Sequence, residues 1–99
     1  MDVDETAQRE QLARATRPQL AAMDRLSRTL VVDDSIIALR ADVLRETTAR
    51  YREGAVTAAE YVDRQTDLLT ARLTQVAHRV ELTRARVDYL TTLGLEVRP

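Results

Sequence analysis

The stretch "YREGAVTAAEYVDR", residues 51–64, interrupts two runs that otherwise consist of helix formers, and its reading decides the fold. Gly54, one of two glycines in the chain, suits the left-handed position that commonly closes a helix. Thr57-Ala58-Ala59-Glu60 has the T-x-x-E spacing of a capping box. Thr57 would be the N-cap, Glu60 the third helical residue, and Val56 and Tyr61 a hydrophobic staple. The stretch therefore predicts a helix stop, a short turn and a helix start. These rules explain Glu60 and leave Asp63 over, although a carboxylate in a first turn is favoured by the helix dipole.

On either side the residues are rich in Ala, Leu, Arg, Gln and Glu, which are strong helix formers. We expect one helix from about residue 4 to 52, a turn at 53–56 and a second helix from about 57 to 94. The predicted class is all-α, a long antiparallel helical hairpin resembling a coiled coil and occupying residues 1–99 as one unit. Pro18 admits two readings. Thr16-Arg17-Pro18-Gln19 could cap a helix that restarts at Thr16, with proline in the first turn. Alternatively, one nearly continuous helix is kinked there. Helix formers on both sides favour the second reading.

In the second helix Val62, Thr66, Leu69, Leu73, Val76, Val80, Thr83, Val87 and Leu90 alternate spacings of four and three. This is the 3.5-residue repeat of left-handed coiled-coil packing. A weaker line, Tyr61, Leu68, Leu82, Tyr89 and Leu93, runs beside it. Asp63, Asp67, Thr70, Thr74, Glu81, Arg84 and Asp88 should face water. In the first helix Met23, Leu26, Leu30, Ile37, Leu44 and Tyr51 form a seam interrupted by Asp33 and Arg40, and Val32, Ile36, Leu39 and Val43 form another. Acid-before-base pairs at i, i+4 (Glu5–Arg9, Glu10–Arg14, Asp24–Arg28, Glu46–Arg50 and Glu60–Arg64) should each add about 0.2–0.5 kcal/mol. A helix over 57–94 would be about 57 Å long. A hairpin two helices thick buries little per residue and should be marginal alone. Two seams per helix imply more helices beside it.

Composition narrows the function. The chain has 99 residues, 44% hydrophobic but only 3% aromatic, with net charge −1. Every one of its 15 basic residues is Arg, and none are clustered as phosphate binding requires, so nucleic acid is not an expected partner. Without cysteine there is no disulfide or thiolate metal site. His78 is the sole histidine; it falls between the apolar seams, with no acid at ligand spacing on its face, so no metal or catalytic role is expected. No nucleophile–base arrangement or phosphate-binding loop is present, and neither an enzyme nor a cofactor is expected. Arg72, Arg79 and Arg86 are expected to bridge to acids on neighbouring helices. The polar start "MDVDETAQRE" is unlike a signal peptide. The longest apolar run, Ile36 to Leu39, is far below the roughly 20 residues of a membrane-spanning helix.

"RYREGAVTAAEYVDRQTDLLTARL", followed by "HRVELTRARVDYLTTLG", resembles the C-terminal helical hairpin of TolC-type outer-membrane efflux proteins. That pattern has a Tyr, a Gly three residues on, a Thr, an acidic turn opening the last long helix, and an Ala-rich, Tyr-Leu stretch closing with Gly. Here these are Tyr51, Gly54, Thr57, Glu60, Asp63, Ala85, Tyr89, Leu90 and Gly94. "DDSIIALR", 33–40, is similar to the helix leading into the turn. The resemblance covers roughly residues 20–95.

It implies a transport component of the cell outer membrane and periplasm, one hairpin of an α-barrel in a trimeric channel of a tripartite export system. Such proteins are several times longer, so the chain would be a fragment, joined to the membrane only through β-barrel segments it lacks. The turn would lie at the periplasmic tip. Tyr51, Gly54 and Thr57 would belong to the surface that meets a periplasmic adaptor protein and to the closed-entrance network. Glu60 and Asp63 would form acidic rings at the pore constriction. One departure is Val56, which stands where the best-known member has an arginine of that network, so any lock must be built differently. The alternative is a coiled-coil interaction module, such as an adaptor hairpin. That hairpin should be flanked by lipoyl-like β segments.

Overall fold

The computed structural model describes residues 2–96, with side chains over residues 3–94. It is all-α, a hairpin of two helices: α1, Asp2–Arg52, and α2, Ala58–Glu96. Among the described residues neither helix is long and apolar enough to cross a membrane.

α1 runs unbroken through Pro18. Proline has no N–H, so the carbonyl of Arg14 is left without its usual partner one turn on. Thr16 is not a cap. Its hydroxyl donates backward to the carbonyl of Leu12, 2.8 Å away, and the helix does not restart there. Glutamine at 19, the other half of that supposed cap, reaches across to α2, where its amide nitrogen donates to Thr92 Oγ1 at 2.9 Å.

The chain divides into two compact units, residues 29–78 and residues 2–28 with 79–96. In the unit containing the turn, the covered positions of α1 include the row Leu30, Asp33, Ile37, Arg40, Leu44 and Thr47, with Ala41 and Thr48 half-buried beside it. Those of α2 include the row Tyr61, Arg64, Leu68, Ala71, Gln75 and His78, with Asp67 half-buried beside it. Both rows alternate steps of three and four, the repeat of a coiled-coil seam. Cross-helix partners fall on α2 as they rise on α1, from Asp33–His78 through Arg40–Asp67 to Tyr51–Tyr61, so the helices are antiparallel. In the other unit Leu12, Thr16, Gln19, Met23 and Leu26 of α1 are covered, with Leu82, Ala85, Tyr89 and Thr92 of α2.

The α1 seam is the one its apolar spacing predicts, with Asp33 inside it rather than interrupting it. On α2 the expected ranking is inverted. The stronger apolar line is exposed throughout: Val62, Leu69, Leu73, Val76, Val80, Val87 and Leu90 are 47–65% exposed. The weaker line supplies the buried Leu68 and Leu82 and the half-buried Tyr61 and Tyr89. Arg64, Ala71, Gln75 and His78 fill the places between. The residues expected to face water do so, except Asp67, which is half-buried.

Of the expected i, i+4 pairs, Asp24–Arg28 (3.0 Å) and Glu46–Arg50 (2.8 Å) form. Glu60–Arg64 does not, because Arg64 turns toward Asp67, 2.7 Å away. Glu5–Arg9 and Glu10–Arg14 are absent among the described residues. The structure adds Arg45–Asp42.

Candidate functional site

The turn joins two complementary helix ends. α1 closes with a Schellman motif: the Gly54 amide donates to the carbonyl of Tyr51 (3.0 Å), and the Ala55 amide to that of Arg50 (2.8 Å). These bonds use carbonyls that the last helical turn would otherwise leave open. Gly54 sits at φ +74°. A side chain there would meet nothing within 4 Å, so it is the backbone conformation, and not space, that calls for glycine.

α2 opens on Thr57. The Glu60 amide donates to Thr57 Oγ1 at 3.1 Å, and the Tyr61 amide to the Thr57 carbonyl at 3.1 Å. Only the threonine half of the capping box forms. The Glu60 carboxylate has no hydrogen-bond or ion-pair partner among the described residues. It lies exposed, as does Asp63.

Tyr51 and Tyr61 close the hairpin just behind the turn. Their rings stack with centroids 4.8 Å apart and planes 17° from parallel, an arrangement worth about 0.5–1.5 kcal/mol beyond the area it buries. Gln65 Nε2 donates to the Tyr61 hydroxyl at 3.2 Å. Tyr61, read from sequence as one half of a staple with Val56, thus faces the last seam position of α1. Tyr51 remains 41% exposed. Of the five residues singled out from sequence, Tyr51, Gly54, Thr57 and Glu60 therefore lie within the connection and its two flanking helical turns, and Asp63 lies in the second turn of α2. Tyr51, Gly54 and Thr57 build the connection. Glu60 and Asp63 are carboxylates on its solvent side that the connection does not use.

Farther along the same unit lies a polar layer that sequence reasoning missed. His78 Nδ1 is 2.6 Å from Asp33 Oδ2, and the Asp33 side chain is only 7% exposed. Gln75 Nε2 donates to Asp34 Oδ1 at 2.6 Å and approaches the Leu30 carbonyl at 3.5 Å. Closer to the turn, Arg40 donates to the Asp67 carbonyl at 2.8 Å. His78 is therefore a seam residue, not one lying between seams. The available signal was the regular step of three and four through 68, 71, 75, 78 and 82, which passes through polar residues that a search for apolar ones skips.

Comparison with models of known families, with curated proteins and with solved structures returns no match.

Proposed function

We propose that this chain is a hairpin of an outer-membrane efflux channel of the TolC type, with its turn at the periplasmic tip of an α-barrel. The observation that carries the reading is the exposed second seam. A line of Val and Leu at coiled-coil spacing, left open on a helix whose own partner covers a more polar line, suits a hairpin flanked by further helices on several sides. The ordered resemblance from Tyr51 to Gly94 supplies the kind of assembly. In it, Tyr51, Gly54 and Thr57 form the surface that an adaptor protein meets, and the free carboxylates of Glu60 and Asp63 face the aqueous entrance. The Tyr51–Tyr61 stack holds the tip where Val56 offers no charged group to do so.

Single cysteines at Gly54 and at Asp63, introduced into the intact gene product in its native envelope, test this. Self-crosslinking at Asp63, with adaptor crosslinks at Gly54, is the expected result. Crosslinks from both positions to a different outer-membrane protein, and none between copies, would instead assign the hairpin to an adaptor.

A further inference from the structure

Most arginines in the unit of residues 29–78 are engaged within it. Arg64 pairs with Asp67, Arg45 with Asp42 and Arg50 with Glu46, and Arg40 donates to the Asp67 carbonyl. Arg52 and Arg72 are not. Among the described residues neither makes an ion pair or a side-chain hydrogen bond. The positions one helical turn from Arg72 on α2, Leu68, Leu69, Gln75 and Val76, hold no acid.

Both free arginines border one groove between the helices, with a volume of about 510 Å³. Its floor is apolar, formed by Leu44, Leu68, Ala41 and Ala49. Leu68 is fixed in the seam at 8% exposure. Thr48 also lines the groove, but its hydroxyl donates to the Leu44 carbonyl at 2.7 Å, within its own helix. Arg45 stands between the two free arginines in the lining, and among the described residues no acid belongs to it. A second cavity of the unit, about 170 Å³, also has two arginines, Arg40 and Arg64, but Asp67 beside them engages both. Only the larger groove offers unpaired cations.

These cations stand at its two ends. Arg52 is the last residue of α1, at the turn. Arg72 lies one helical turn past Leu68, on the side away from the turn. On α1 the lining runs from Ala41 to Arg52, about 16 Å at 1.5 Å per residue. A mostly apolar hollow of about 300–1,000 Å³ with a few charged groups is typical of a small-molecule site. A guanidinium presents a planar fork of donors that matches a carboxylate. An exposed ion pair is weak by itself, so an occupant must also cover the apolar floor.

We infer that this groove binds an elongated dicarboxylate, one carboxylate on Arg52 and the other on Arg72, with an apolar body lying over Leu44 and Leu68. The inference requires only the hairpin, so it stands or falls separately from the channel reading.

Dodecanedioate is the probe, titrated into the full chain and followed by amide NMR. The diol and the diamine of the same length carry the same body with no charge and with the opposite charge. Hexanedioate carries both carboxylates on a body too short to join the ends. Dodecanedioate should bind saturably, with shifts centred on residues 41–52 and 68–72, and less tightly as salt rises. The other three should bind at least about tenfold more weakly. Arg52→Gln and Arg72→Gln, both at exposed positions, should keep the parent's helicity and each weaken dodecanedioate at least about fivefold. Each should also erase its advantage over dodecanoate, which has a single carboxylate. Binding of the diol or diamine as tight as that of dodecanedioate, or shifts spread along Val62, Leu73 and Val76, would overturn the inference. So would the absence of saturable binding, which would leave the groove to an acid-bearing helix of a protein partner.

Discussion

α2 carries two stripes of the same period and opposite fates. The stripe against α1 includes Arg64, Gln75 and His78 among its apolar residues and is covered. The stripe of Val62, Leu69, Leu73 and Val76 has no charge and is open to water. The hydrophobic effect alone would bury the second. What the difference teaches is that the polar residues of the covered stripe are matched, Gln75 and His78 to partners on α1 and Arg64 to Asp67 on α2 itself. Asp33 receives His78, the neighbouring Asp34 receives Gln75, and the Asp67 carbonyl receives Arg40. Satisfied polar groups inside a seam fix register where uniform aliphatic contacts tolerate slippage. The uncharged stripe, with no such instructions within the chain, is left for neighbours.

The largest effect should come from truncating the covered stripe. Leu68→Ala and Leu82→Ala each remove a side chain from a site under a tenth exposed, and each should cost about 2–4 kcal/mol in urea denaturation. Leu69→Ala and Leu73→Ala, at 56% and 60% exposure, should cost the dilute chain less than about 0.5 kcal/mol. Equal costs for the two pairs would erase the distinction between the stripes.

Next comes the polar layer. Asp33→Ala leaves His78 without its partner in the seam and should destabilise by about 1–3 kcal/mol. Replacing both, Asp33→Leu with His78→Leu, should recover most of that loss or exceed the parent, since well-packed apolar pairs often match buried polar ones. If the double variant is as unstable as the single, the layer contributes more than matched polarity.

At the turn, Gly54→Ala forces a side chain into the left-handed region and should cost about 1–2 kcal/mol. Thr57→Ala removes the cap that receives the Glu60 amide and should cost about 1 kcal/mol. Smallest of all, Glu60→Gln should leave helix stability within about 0.5 kcal/mol of the parent, because its carboxylate makes no bond to the Thr57 amide. A loss as large as that of Thr57→Ala would mean that the capping box closes fully in solution.

These contrasts follow what was legible in the sequence. The turn was readable almost residue by residue because its signals are local: Gly54 has a backbone conformation that few residues adopt, and Thr57 caps a helix from three residues away. The α1 seam was readable because Met23, Leu30, Ile37 and Leu44 recur along it at seven-residue intervals. The α2 seam was not. Counting aliphatic residues measures the tendency to leave water without naming the partner, and on a helix with two partners the stronger stripe need not face the nearer one. His78 was misplaced for the same reason, and the switch of Arg64 from Glu60 to Asp67 reflects a choice among exposed acids of nearly equal energy. That Glu60 and Asp63 remain free could be anticipated only for Asp63, which no local motif explains.

The most direct test of the central claim, that the open stripe awaits more helices, is the thermal melting of the purified chain by circular dichroism over a wide range of concentrations. Association that covers Leu69, Leu73 and Val76 makes stability depend on mass action. The melting temperature and the helical signal should therefore rise steadily with concentration. A cooperative melt at one fixed temperature, the same in dilute and concentrated samples, would show a hairpin complete in itself and contradict the claim.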